Sequence, residues 1–150
     1  MERLGIVGKE AENPPKTIHE TSAIIIEDGD KVLMIKRGNN PEKGTWAIPG
    51  GHVDEGETYS EAAQREAQEE VGDIETEKEP IFGFNHKQGS EKRMPMIHWH
   101  YGKLFRGKVV GKISASSDAS EMEWINKNEI KNLELAKWAQ TVFEKLGYLD

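Results

Sequence analysis

Apolar and polar positions alternate along most of this chain, and two stretches that repeat at helical spacing interrupt them. Residues 17–26 are rich in β-branched side chains and predict a strand; Asp28-Gly29 supplies a hairpin turn, and residues 31–37 the returning strand. The loop from Gly38 to Gly44, containing Asn39-Asn40-Pro41, leads to a short apolar strand over residues 46–48. Residues 81–86 and 94–105 predict two longer strands joined by a polar loop over 87–93. Residues 107–120 read as loop with room for a short strand at 109–113, and 121–125 as the last strand. Thr58 and Glu61 form a T-x-x-E capping box, so a helix starts near Tyr59, and Gly72 is placed to stop it. Leu135, Trp138, Val142 and Leu146 recur at helical spacing, which predicts a closing amphipathic helix that ends at Gly147 and buries Trp138 in the core. Residues 1–17, with Pro14-Pro15 and little periodicity, form an N-terminal arm, leaving 18–150 as a single domain. Strands around one helix, followed by a second helix, make an α/β layered fold.

The first helix carries the chemistry. With Glu66 as zero at about 100° per residue, Glu70 lies near about 40° and Glu69 near about −60°, so three carboxylates share one side. Ala63, Ala67 and Val71 form a narrow stripe that lets the helix lie close to a sheet. Carboxylates crowded on one turn repel one another. Hard divalent cations relieve that repulsion, because Mg²⁺ and Mn²⁺ take oxygen ligands and bridge to phosphates. Arg65 stands one turn from both Glu61 and Glu69 and can hold a carboxylate in place. Upstream, the apolar run Trp46-Ala47-Ile48-Pro49 ends in Gly50-Gly51, a turn at which backbone approaches a ligand. A solvated acidic face is the simpler reading of the glutamates alone; the glycine turn placed before the capped helix favours the metal site.

Residues 51–73 match, at every charged and glycine position, the pattern G-x5-E-x7-R-E-U-x-E-E-x-G-U: Gly51, Glu57, Arg65-Glu66, Glu69-Glu70 and Gly72. The two aliphatic positions hold Ala67 and Asp73 instead. This segment resembles the Nudix box. The resemblance implies the Nudix fold, a mixed β-sheet sandwiched between α-helices, and hydrolysis of a nucleoside diphosphate linked to another group. It also implies Mg²⁺ or Mn²⁺ held by Glu66, Glu69, Glu70 and the Gly50 carbonyl, with Glu57 and Arg65 orienting those ligands. Relatives often add a later carboxylate, for which Glu123 or Glu121, alternating with Met122 and Trp124, are the candidates. At Asp73 an aliphatic residue usually anchors the helix exit; Ile74 is expected to take over that burial, with Asp73 turned to solvent.

Composition narrows the partners. The chain has 150 residues, 35% hydrophobic and 31% charged, enough for one domain with a real core. Its net charge of −7, without a basic stripe, argues against a nucleic-acid polymer and leaves a small nucleotide as the partner. The absence of cysteine excludes disulfides, thiolate metal sites and a cysteine nucleophile. No apolar run approaches ~20 residues and no signal-like segment opens the chain, so a cytoplasmic protein with no membrane partner is expected. A homodimer is allowed.

Substrate markers are fewer. Arg37, at the end of the second strand, and His52, after the glycine turn, are candidate substrate contacts. His98 and His100 flank Trp99 on one strand face and resemble a metal pair by spacing, but zinc needs a further ligand that the sequence does not supply, which favours two strand histidines lining the sheet or a substrate pocket. The downstream signatures of NADH pyrophosphatases, ADP-ribose pyrophosphatases and dinucleoside polyphosphate hydrolases do not match. Elimination therefore favours a nucleoside triphosphate, cleaved to monophosphate and pyrophosphate. ADP-ribose or another nucleotide sugar is the alternative. A non-catalytic nucleotide-binding module is the alternative of another class, disfavoured because every box carboxylate is present.

Overall fold

The computed structural model describes residues 17–39, 42–88, 98–116 and 119–150. The N-terminal arm, except Thr17, and most of the loop expected over 87–93 lie outside them. Eight strands and two helices follow in the order β1 (Thr17–Asp28), β2 (Lys31–Arg37), β3 (Trp46–Ala47), β4 (Gly50–His52), α1 (Tyr59–Glu70), β5 (Gly72–Thr76), β6 (Phe82–Gln88), β7 (His98–Ile113), β8 (Ala119–Asn126) and α2 (Lys137–Leu146). A 3₁₀ helix, Lys127–Asn132, precedes α2 and brings Ile130 into the core.

β1 is the axis of a mixed sheet. It runs parallel to β7 from the pair Thr17↔His98 to Ile26↔Gly107. Its other edge meets β4 at Thr21–Ala23 and then β2 at Glu27 and Asp28. β2 carries β3 and β8, and β7 carries β5 and β6. Side chains alternate across each strand, so the core divides into two layers. Ala23, Ile25, Val32, Met34 and Leu104 pack under α2 with Ala139, Val142 and Phe143. Ile24, Ile26, Leu33 and Phe105 pack under α1 with Ala63 and Ala67. The sheet is thus sandwiched between helices, as expected. No helix among the described residues is long and apolar enough to cross a membrane.

Three elements depart from the sequence reading. The two glycines of the expected Pro-Gly-Gly turn belong to a strand instead: β4 pairs with β1, and a Cβ at Gly50 would lie 2.8 Å from the Ser22 carbonyl oxygen and 3.4 Å from the Trp138 ring. Its glycines serve close approach rather than chain reversal. β7 continues through the expected break at Gly107 to Ile113. A Cβ at Gly107 would come within 2.8 Å of Ile24 and 3.0 Å of Ile74, so this glycine makes room for the core. β5 begins directly after α1, where Gly72 takes φ 130°. There Gln64 ties helix to strand, donating to the Ile74 carbonyl at 2.7 Å and accepting from the Thr76 N–H at 2.9 Å.

Ile74, 2% exposed, takes the burial as expected. Asp73 is exposed but not idle: its carboxylate accepts the Lys112 N–H at 3.0 Å, beside the register shift between Gly72 and Ile74, and packs on Gly111. A near-neutral Asp73→Leu, within about 0.5 kcal/mol, is what an unpartnered surface position gives. With this hydrogen bond, the variant is expected to lose about 1 kcal/mol in a urea melt while keeping full turnover.

Candidate active site

The box helix is anchored before its chemistry begins. The Thr58 hydroxyl accepts the Glu61 N–H at 3.0 Å, and the Glu61 carboxylate accepts the Thr58 N–H at 2.9 Å. This reciprocal cap occupies Glu61, so Arg65 turns away from it to the loop and to the acidic face. Its Nε and Nη2 grip the two Glu57 oxygens at 2.7 and 3.1 Å, Nη1 reaches Glu66 at 2.8 Å and Glu69 at 3.3 Å, and Nη2 donates to the His52 carbonyl at 3.0 Å. One planar fork thus ties the strand exit, the loop and two box glutamates together. Glu57 is held below the usual carboxylate range by Arg65 first and by the Asp54 N–H second. Arg65 is held above its ordinary range by Glu57, with Glu66 adding to it. A lysine keeps the charge and loses the fork. Arg65→Lys is expected to lower kcat by ~10–100-fold and to weaken Mg²⁺ binding, with helix content unchanged by circular dichroism.

Glu66 and Glu70 meet at the glycine strand. Gly51 lies against the Glu66 carboxyl so closely that any Cβ there would collide with it. The Gly50 N–H points at Glu70 Oε1 from 3.4 Å. The Glu66 side chain is 13% exposed and that of Glu69 60%, so the third carboxylate of the face splays toward solvent. Glu70 is pushed up to about 9, by burial first and then by the hydrogen bond and charge of Glu66; the Gly50 N–H opposes this. Two acidic groups pressed together, with no cationic side chain recorded on Glu70 among the described residues, are a donor set that suits a hard divalent ion.

A cleft opens beside Glu70 in two lobes. The larger, about 280 Å³, is walled by Ala47, Ile48, Phe84 and Trp138, with His86 and His100 also in its lining. The smaller, about 190 Å³, has a mixed wall in which Lys36, Arg37, Asn39 and Ser116 stand beside Ile35 and Ala119. Glu70, Arg37 and Ile35 border both lobes. His52 is exposed and borders the larger one, so both substrate candidates lie at the cleft. Glu121 and Glu123 line neither lobe; both are exposed, and Glu121 pairs with Lys36 at 3.4 Å. Trp138 is not simply core, because its ring faces Gly50 across the cleft. Phe84 and His86 escaped sequence analysis altogether. Strand alternation gives their face but not that it borders a cavity. Burial lowers the His86 imidazole below its usual range, with Glu42 opposing and Lys137 adding.

The NUDIX domain family matches residues 17–146. The chain is 37% identical over 118 residues to an ADP-ribose pyrophosphatase of Methanocaldococcus jannaschii, covering 77% of this chain and 68% of that one. A MutT NUDIX hydrolase structure from Burkholderia pseudomallei superposes with a TM-score of 0.74 at 21% identity, over 87% of this chain and 98% of that one. A bifunctional NMN adenylyltransferase/ADP ribose pyrophosphatase from Francisella tularensis, complexed with AMP and a Mn ion, gives a TM-score of 0.66 at 24% identity, over 97% and 44%. The last two likenesses bear on the fold; the first two, with Glu57, Glu66 and Glu69 gathered around Arg65 and Glu70 beside Glu66, bear on the chemistry. The chain belongs to the Nudix hydrolase family and is a pyrophosphohydrolase.

Proposed function

We propose that the protein hydrolyses the pyrophosphate linkage of a nucleoside diphosphate sugar of the ADP-ribose kind, releasing a nucleoside monophosphate and a sugar phosphate. The observation that carries this reading is the two-lobed cleft meeting at Glu70 and Arg37. A nucleoside diphosphate sugar has an organic group on each side of its pyrophosphate; a nucleoside triphosphate has one. The apolar lobe, with Phe84 and Trp138, suits a flat base, and the smaller lobe with Lys36, Asn39 and Ser116 suits a hydroxylated sugar. The likeness to the Methanocaldococcus jannaschii ADP-ribose pyrophosphatase supports the same choice over the nucleoside triphosphate that elimination of downstream markers favours.

In this reading Glu66, Glu69, Glu70 and the Gly50 carbonyl would hold Mg²⁺ or Mn²⁺, which would supply charge neutralisation for the pyrophosphate and a water of lowered pKa. Arg37 at the waist of the cleft faces the phosphates. Arg65 and Glu57 keep Glu66 aimed, and the apolar lobe orients the nucleoside so that the bridging P–O bond lies over the acidic pair. The second reading, a nucleoside triphosphate, draws on the smaller lobe too: Lys36 and Arg37 also suit a terminal pyrophosphate. Initial rates on ADP-ribose, a second nucleotide sugar and the nucleoside triphosphates, each with Mg²⁺, decide between them. ADP-ribose is expected to show the highest kcat/KM, by at least ~10-fold, about 1.4 kcal/mol in transition-state binding. The reverse ranking favours the triphosphate reading, and binding without turnover on every compound favours the non-catalytic module.

A further inference from the structure

Four of the chain's five histidines cluster at the larger lobe, His52, His86 and His100 in its wall and His19 behind them, and the proposed hydrolysis has no use for such a cluster. The register brings them there. His19 stands opposite His100 in the parallel β1–β7 ladder, and His86 stands opposite His100 in the antiparallel β6–β7 ladder. β4 places His52 opposite Thr21, two residues along β1 from His19. The ring centres of His19 and His100 are 4.7 Å apart, those of His19 and His52 5.4 Å, and those of His52 and His100 5.8 Å. His86 adds a fourth ring 6.0 Å from His100. Sequence analysis stopped at His98 and His100 for want of a third ligand; the sheet supplies His19, His52 and His86 from other strands.

Imidazoles that share one tetrahedral ion at ~2.1 Å have ring centres roughly 5 Å apart. The triangle of His19, His52 and His100 has that size, and its corners are set by backbone pairing rather than by loops. Imidazole nitrogen prefers borderline metals, whereas the carboxylates of α1 prefer hard ones, so the two donor sets sort different cations. We propose that His19, His52 and His100, with His86 in reach as a fourth ligand, bind a late first-row divalent cation of the zinc, cobalt or nickel kind. With the side chains as they stand, no three His, Asp or Glu donors among the described residues are placed so that they could hold one ion. Occupation therefore requires the rings to turn about their side-chain torsions, which the exposed His52 does at little cost. Because His52, His86 and His100 also line the larger lobe, an ion held there narrows the space proposed for the nucleoside.

The test uses Co²⁺ as probe, added to the full chain in excess Mg²⁺ so that the carboxylate site is filled. Visible absorption reports nitrogen-bound cobalt, and calorimetry with Zn²⁺ gives the affinity. One equivalent is expected to bind to the wild type. His100→Ala and His52→Ala are each expected to weaken it by at least ~10-fold, the smaller end of the loss seen when a metal's support is removed. Glu70→Gln is expected to leave it unchanged. The proposal is overturned by an absence of cobalt absorption in the wild type, by wild-type affinity in both histidine variants, or by loss in Glu70→Gln alone. Circular dichroism identifies a misfolded His100→Ala, in which case the surface variant His52→Ala carries the decision.

Discussion

Turnover is expected to fall at least ~10³-fold when divalent cations are removed with excess EDTA, and to return on adding Mg²⁺, because several kcal/mol of charge stabilisation goes with them. The expectation rests on the electrostatics of the acidic face. The chain carries −7 overall, and Glu66 and Glu70 lie within reach of the cleft in which a pyrophosphate must sit. Two like charges 4 Å apart repel by about 1 kcal/mol in water and by about 4 kcal/mol at a partly buried site. Arg37 borders both lobes beside Glu70 and Lys36 lines the smaller one, but Glu121 already pairs with Lys36 and Glu57, Glu66 and Glu69 already share Arg65, so these cations leave the added charge of a pyrophosphate uncompensated. Rates in EDTA, with residual metal measured by atomic absorption, provide the check. Full turnover in protein shown to be free of metal would remove the carboxylates from the mechanism.

How legible the site was depended on whether its signals are local. The ends of α1 carry their own signals, Thr58 with Glu61 at the start and Gly72 after the end, and both ends lie where those residues place them. Gly147, at φ 82°, closes α2 in the same way. Glycines between the helices misled because sequence shows the missing Cβ but not the reason for it. Gly107 and Gly50 read as breaks, yet both lie inside strands, where Ile24 or Ser22 leaves no room for a side chain. Arg65 was legible as an orienting residue through helical spacing. Its partner Glu57 was legible only through the box resemblance, because the loop that returns Glu57 to the helix has no period. The cleft walls were hidden for a different reason. Phe84, His86, His100 and Trp138 come from three elements far apart in sequence and meet only through the β6–β7 ladder and the packing of α2.

Glu70→Gln is the variant that reads both halves of the site. It keeps the side chain's shape and removes a charge that a bound cation needs, so kcat is expected to fall by at least ~10²-fold, the scale of deleting one positioned electrostatic group. The metal-free protein gives a second, independent readout. Glu70 is pushed up to about 9, so between its ordinary value near 4.5 and about 9 the folded chain holds a proton that the unfolded chain has released. Stability then falls as pH rises through that window, because the folded state is the one that binds more protons. The Tm of metal-free wild type is therefore expected to drop from pH 5 to pH 9 more steeply than that of Glu70→Gln, which has no such proton to lose. Metal binding makes the same point from the other side. At pH 7 an incoming Mg²⁺ must displace the proton, so calorimetry in buffers of different ionisation enthalpy should detect its release in the wild type and not in the variant. Near wild-type turnover in Glu70→Gln, with parallel Tm curves and no difference in proton release, would show that the acidic face of α1 is only a solvated surface.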